Sequence, residues 1–151
     1  MLKQKSVRGF TLLELLVVIA IIGLLSTFAV VSLNSGRLKA RDSKRLTDMK
    51  SLQTAMEFYY DDNGDYGVGS TDPAAVSGLP LSTYIPQVSQ MEDPSGATAL
   101  CSATSVAVCD YAFVNSSTST YTVHFYLEGA TSVGNTAADA CTLTPSGISC
   151  P

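Results

Sequence analysis

The sequence predicts an α+β fold. A long N-terminal α-helix, its first half apolar enough to be transmembrane, packs through its C-terminal half on a small antiparallel β-sheet head stapled by disulfides. Three observations predict it. The run from Phe10 to Leu33 (FTLLELLVVIAIIGLLSTFAVVSL) carries one charge and no Pro. Leu46, Met49, Leu52, Met56 and Tyr59 then recur at steps of 3, 3, 4 and 3, an apolar helix face that needs a sheet to cover. Beyond Gly67 the composition turns to Gly, Ser, Thr and Pro, with period-two alternation and all four cysteines. At 151 residues the chain suffices for one ordinary domain and is too short for two well-buried ones.

As a helix the 24 residues from Phe10 to Leu33 would run about 36 Å, enough to cross a hydrocarbon core of about 30 Å. The preceding MLKQKSVRG is short and basic, which is also how a secretory signal peptide opens. A cleavable signal, however, has an uncharged apolar stretch of about 7–15 residues and then an A-x-A-like site. This run is longer, bears Glu14 near its start and offers only Thr27-Phe28-Ala29. Residues 38–60 continue as an amphipathic helix. An unbroken helix from Phe10 to Tyr60 would have 51 residues and a length of about 77 Å, suited to a filament core rather than a globular domain. Lys44–Asp48 at i,i+4 and Arg45–Asp48 at i,i+3 are expected as surface pairs worth a few tenths of a kcal/mol each. Gly64 within the polar DDNGD cluster stops the helix.

Residues 67–80 read as connection. Tyr111–Val114 and Tyr121–Leu127 read as strands around the turn-forming stretch Asn115–Thr120. In the second of these, Tyr121, Val123, Phe125 and Leu127 form a core face, while Thr122, His124 and Tyr126 form a wetter one. His124 is therefore expected at the surface. Further strands are expected near Ala140–Leu143 and Ile148–Cys150, around the Pro145-Ser146-Gly147 turn.

Charge excludes several function classes. All nine Lys and Arg lie at or before Lys50, against Glu14, Asp42 and Asp48, which gives residues 1–50 a charge of +6. Residues 51–151 carry ten acids and no Lys or Arg, a charge of −10. A head without cations releases no counterions from phosphates, so nucleic-acid binding there is disfavoured. A single histidine excludes His-rich zinc sites and the HExxH helix, and no nucleophile–base pattern points to an enzyme.

Cys101, Cys109, Cys141 and Cys150 are spaced by eight and nine residues within each half, unlike the CxxC of zinc or redox motifs. They read as disulfides. Of the three connectivities, Cys101–Cys109 with Cys141–Cys150 is favoured because each pair brackets a hairpin-sized loop worth about 2–3 kcal/mol. Disulfides need an oxidising compartment, which puts the head outside the cytoplasm. Asp61, Asn63, Asp65 and Asp72 stand at calcium-loop positions 1, 3, 5 and 12 of an EF-hand, but Tyr66 replaces the Gly of position 6 and the last is Asp. Calcium is thus a weak candidate, a turn with a helix stop is the expected reading, and no other cofactor is expected. Asn115-Ser116-Ser117 fits a glycosylation sequon of the kind chance supplies.

Glu14 lies five residues after Gly9 at the edge of an apolar run, where a carboxylate is costly in lipid and functional by default. The string Arg8-Gly9-Phe10-Thr11-Leu12-Leu13-Glu14-Leu15 resembles the prepilin processing motif of type IV pilins and type II secretion pseudopilins. Lys39-Ala40-Arg41-Asp42, the stretch Leu52–Tyr60 and Asp62-Asn63-Gly64-Asp65-Tyr66 resemble the stem and first turn of major pseudopilins, so the resemblance covers residues 1–66. Gly67 replaces the family's Pro after that Tyr. No Pro interrupts the apolar helix either, the first after the leader being Pro73.

The resemblance implies a leader peptide at 1–9, a transmembrane and filament-core helix at 10–33, an amphipathic helix and turn at 34–66, and a β-rich head at 67–151. It implies cleavage between Gly9 and Phe10, N-methylation of Phe10, and an assembly role for Glu14. The partners it implies are further copies in a helical filament, a prepilin peptidase/methyltransferase, an inner-membrane assembly platform, and minor pilins or pseudopilins. The implied function is structural: a pseudopilin that polymerises into a periplasmic piston for protein export. The alternatives are a type IV pilin in a surface fibre, or an exported, membrane-anchored binding domain that does not polymerise. Counting Lys3, Lys5 and Arg8 against Arg37, Lys39, Arg41, Lys44, Arg45 and Lys50, the positive-inside rule alone would keep the C-terminus inside. Disulfides and resemblance place it outside. The cationic band at 37–50 is then expected to lie on anionic headgroups before assembly and on the acids of neighbouring subunits afterwards.

Overall fold

The computed structural model describes residues 9–68, 74–129 and 139–150. Helix α1 runs unbroken from Leu12 to Asn63, 52 residues. It stops where Gly64, at φ +77°, takes the left-handed conformation that ends many helices, its N–H bonding Tyr60 O at 2.7 Å. The chain divides into two compact units, residues 1–37 and 38–151.

In the first unit every described side chain from Phe10 to Leu33 is exposed. Two of its hydroxyls are satisfied within the helix: Ser26 donates to Ile22 O and Thr27 to Leu24 O, each at 2.7 Å. A segment destined for lipid must satisfy its polar groups internally in this way. Of the described helices, this one is long and apolar enough near the N-terminus to cross a membrane.

The second unit pairs the rest of α1 with five strands: β1 (Ala74–Ala75), β2 (Ala112–Ser116), β3 (Tyr121–Leu127), β4 (Asp139–Thr144) and β5 (Gly147–Ser149). They form one antiparallel sheet in sequential order. Met49, Leu52 and Met56 of α1 are buried with Tyr111, Phe113, Tyr121, Val123, Phe125, Leu127 and Leu143, and Leu46 and Tyr59 pack at the margin. The expected stripe is thus the seam between helix and sheet. Phe125 opposite Cys141 fixes the register of β3 on β4, and Leu143 opposite Ile148 that of the last hairpin, β4 with β5, whose turn uses Gly147 at φ +126°.

Two expectations are corrected. The stretch 67–80 is more than connection, because Ala74 and Ala75 pair with Phe113 and Ala112 and Val76 and Leu79 are buried. A two-residue strand carries no readable periodicity. His124 is not at the surface: it is 8% exposed, and its neighbour on that face, Tyr126, is also buried. The reason is a second layer. Cys101, Cys109, Ala112 and Tyr126 form a separate apolar cluster, with Val108 and Val114 packed on it and the Tyr126 hydroxyl donating to Val106 O at 3.3 Å. The sheet is therefore covered on both faces, by α1 and by the loop that Cys101 and Cys109 close.

Candidate functional site

The N-terminal site begins at Gly9 and Phe10, both exposed. Thr11 immediately precedes α1 and Glu14 is its third residue, a capping-box arrangement. The Thr11 N–H and hydroxyl donate to Glu14 Oε2 at 2.9 and 2.8 Å, and Glu14 N–H donates to Thr11 Oγ1 at 3.2 Å. Thr11 is a functional residue that sequence reasoning passed over, although Thr-x-x-Glu before an apolar run is its signal. The carboxylate thus has a local task, closing orphan donors at the helix start.

A second constellation joins α1 to the head. Arg45 is fully buried. Its Nε and Nη2 donate to Asp93 Oδ2 and Oδ1 at 2.7 and 3.0 Å, and its Nη1 reaches Asp42 Oδ1 at 2.6 Å and Glu128 Oε1 at 2.7 Å. Arg41 grips Glu128 in a bidentate pair at 2.7 and 2.6 Å. Asp42 also accepts the backbone N–H groups of Glu128 and Gly129 at 3.0 and 2.9 Å. Asp93 takes Ser95 as well, and its own N–H donates to buried Asp110 at 2.9 Å. Arg41's hydrogen bonds hold the Glu128 carboxyl below the usual range against its partial burial. Burial raises Asp93, but the bonds from Arg45 and Ser95 outweigh it and the net shift is downward.

The expected surface pair Arg45–Asp48 is therefore corrected: Arg45 turns into the head, and Asp48 takes Lys44 at 2.8 Å and the Tyr111 hydroxyl at 3.1 Å. The cationic band loses Arg41 and Arg45 to acids of the same chain.

The remaining expected residues are placed as follows. Cys101 is bonded to Cys109 and Cys141 to Cys150, with Cα separations of 5.0 and 4.4 Å and no free cysteine among the described residues. Asp61 and Asn63 lie in the last turn of α1 rather than in a loop. Asp62 accepts the Tyr84 hydroxyl at 2.9 Å, Asn63 donates to Tyr59 O at 2.9 Å, and Asp65 accepts Gly67 N–H at 2.7 Å. Asp72 lies outside the described residues. Among the described residues no three His, Cys, Asp or Glu converge as a metal site.

Comparison with known proteins adds to this geometry. A family described as the prokaryotic N-terminal methylation motif matches residues 4–30. The type II secretion system core protein G of Vibrio cholerae is 41% identical over 66 residues, 44% of this chain and 45% of that protein. Its counterpart from Dickeya chrysanthemi is 35% identical over 104 residues, 62% of this chain and 67% of the relative. The chain belongs to the core protein G family. This pseudopilin family is structural and non-enzymatic. The type IV major pilin protein PilA of Myxococcus xanthus is 36% identical over 59 residues, 39% of this chain and 27% of that protein. The chain spans about 45% of the length of the Vibrio pseudopilin it matches. No solved structure matches it.

Proposed function

We propose that this chain is a structural subunit of a type II secretion pseudopilus, cleaved between Gly9 and Phe10, methylated on the new Phe10 amine and polymerised through its apolar stem. The observation that carries the reading is the exposed Gly9–Phe10 junction directly ahead of a capped helix whose described side chains up to Leu33 are all exposed. Such a surface needs lipid first and other stems afterwards. Glu14 would then neutralise the amine of an adjacent subunit as lipid is exchanged for protein, since an unpaired charge there is costly. The disulfides and the family support a stem in the inner membrane and a head on its periplasmic side. A prepilin peptidase/methyltransferase, an assembly platform and minor pseudopilins are the partners this reading requires. A surface pilus is the second reading, supported by the similarity to PilA.

Filaments sheared from cells expressing the chain with a secretion machinery test this. Intact-mass analysis is expected to find a polypeptide that starts at methylated Phe10. A mature chain starting at Val30, or a membrane protein that never enters a filament, would refute it.

A further inference from the structure

The single histidine of the chain stands in the middle of β3, buried, and its Nδ1 has no hydrogen-bond partner among the described residues. In register it lies between Ala112 of β2 and Thr142 of β4, with Tyr126 next on its face, and none of these three is charged. The layer above, Cys101–Cys109, holds no Asp, Glu, Lys or Arg, and neither does β5. The acids nearest in the chain are engaged elsewhere. Asp110 accepts the N–H groups of Asp93 and Tyr111, each at 2.9 Å, and Asp139 is in register with Leu127, a position of the face that α1 covers. The two covers of the sheet are also held unequally. On the α1 side Arg41 and Arg45 are paired to Glu128 and Asp93. On the other, Cys101, Cys109 and Val108 pack on Ala112 and Tyr126, and the Tyr126 hydroxyl bonds Val106 O at a long 3.3 Å. The ends of that loop stay joined whatever its middle does, through the disulfide and through Cys101 N–H to Asp110 O at 2.9 Å and Asp110 N–H to Ala99 O at 2.7 Å.

We infer that residues 102–108 form an acid-opened flap over β3, which lifts about its disulfide neck when His124 takes a proton and so lets the imidazolium reach water. Protonation turns Nδ1 into an N–H donor with no acceptor, in an apolar space where an unpaired charge is costly. Lifting the flap relieves that cost and leaves the ion pairs of α1 in place. One proton links the two forms, so below about pH 6.5 the lifted form gains up to tenfold on the closed one for each unit of pH, until the closed-state value is reached. The surface uncovered is an apolar strip of Ala112, Val114 and Tyr126 around the imidazolium. Beyond Lys50 the chain has no Lys or Arg, so this proton creates the one side-chain cation of residues 51–151. Flap and histidine both lie in the second unit, and the inference does not depend on the filament reading.

Alanine-methyl NMR of the full-length chain in detergent micelles, with a soluble gadolinium chelate added, tests the flap. Ala112 is fully buried beneath it, Ala107 is exposed on it, and Ala55 is buried on α1. Between pH 7.5 and pH 5, relaxation of the Ala112 methyl by the chelate is expected to rise on the order of tenfold. Ala107 and Ala55 should keep their high and low values. His124→Gln and His124→Leu are each expected to abolish the rise. The parent chain supplies a second measurement that needs no variant. Its one histidine gives a single set of ring signals, and Ala112 must uncover at their titration midpoint. An Ala112 methyl still shielded at pH 5, a rise that survives both substitutions, a midpoint apart from that of the ring, or an Ala55 methyl uncovered in step would overturn the inference.

Discussion

The two units of this chain solve opposite problems with one helix. From Phe10 to Leu33 every described side chain is exposed, and the polar side chains of Thr11, Glu14, Ser26 and Thr27 bond locally within the helix. From Leu38 onward the same helix buries Met49, Leu52 and Met56 and sinks Arg45 completely. The described side chains of that segment are exposed, and under the proposed function lipid or other stems cover them. The head is closed by its own residues, on one face by the helix and its ion network, on the other by a disulfide loop. Substitutions in the head should therefore register as lost folding, and substitutions in the stem as lost assembly.

The largest folding effect is expected at Arg45. Arg45→Met strips Asp42 and Asp93 of their cation and leaves Glu128 with Arg41 alone, and breaking a buried pair from one side costs about 3–5 kcal/mol. Thermal unfolding of the detergent-solubilised chain by near-ultraviolet circular dichroism measures it. A loss below about 1 kcal/mol would mean the network is solvated in practice.

Removing either disulfide as a double Ser variant should cost about 2–3 kcal/mol, since the loops they close are short and alike. The two differ in what they uncover. Loss of Cys101–Cys109 frees the layer over His124 and Tyr126, so hydrogen exchange should rise on that face of β3, whereas loss of Cys141–Cys150 should loosen the last hairpin. Identical exchange patterns would contradict the two-layer head.

Acid should act on the head in two windows. Burial pushes the His124 imidazole below its ordinary value, so the unfolded chain binds this proton more readily. That stability is complete above about pH 6.5 and is lost as pH falls from there toward the folded value. Asp93 and Glu128 are held low, so their contribution is present above the ordinary carboxylate range and is lost only as pH falls below about 4. Melting temperatures should fall in both windows for the parent chain and only in the lower one for His124→Leu. The smallest effect belongs to Lys44→Ala, a few tenths of a kcal/mol, because its pair with Asp48 is half in water.

What the sequence disclosed follows the range of each interaction. The apolar run, the helical stripe at Leu46–Tyr59 and the alternation of Tyr121–Leu127 are written in neighbouring residues and reappear as α1, its buried face and β3. The Arg45 network was not legible, because Asp93 lies 48 residues away and Asp48 offered a nearer acid. His124 was misplaced for a similar reason. Strand alternation distinguishes two faces but says nothing of a distant loop that covers the second one. Thr11 was legible in its Thr-x-x-Glu spacing, with the charge of Glu14 drawing attention from its geometry.

The charge and the geometry of Glu14 are separable, and separating them tests most directly whether the stem is built for assembly. Gln completes a capping box as Glu does, so Glu14→Gln keeps the helix start while removing the charge that would meet a neighbour's amine. Filament yield and cleavage are measured together on the full-length protein in its membrane, with Thr11→Val as the converse variant that weakens the cap and keeps the charge. The expected result is normal cleavage with a filament yield at least about tenfold lower for Glu14→Gln, and near-parental filaments for Thr11→Val. Parental filament levels from Glu14→Gln, with filaments lost only in Thr11→Val, would contradict it and leave Glu14 as a helix cap alone.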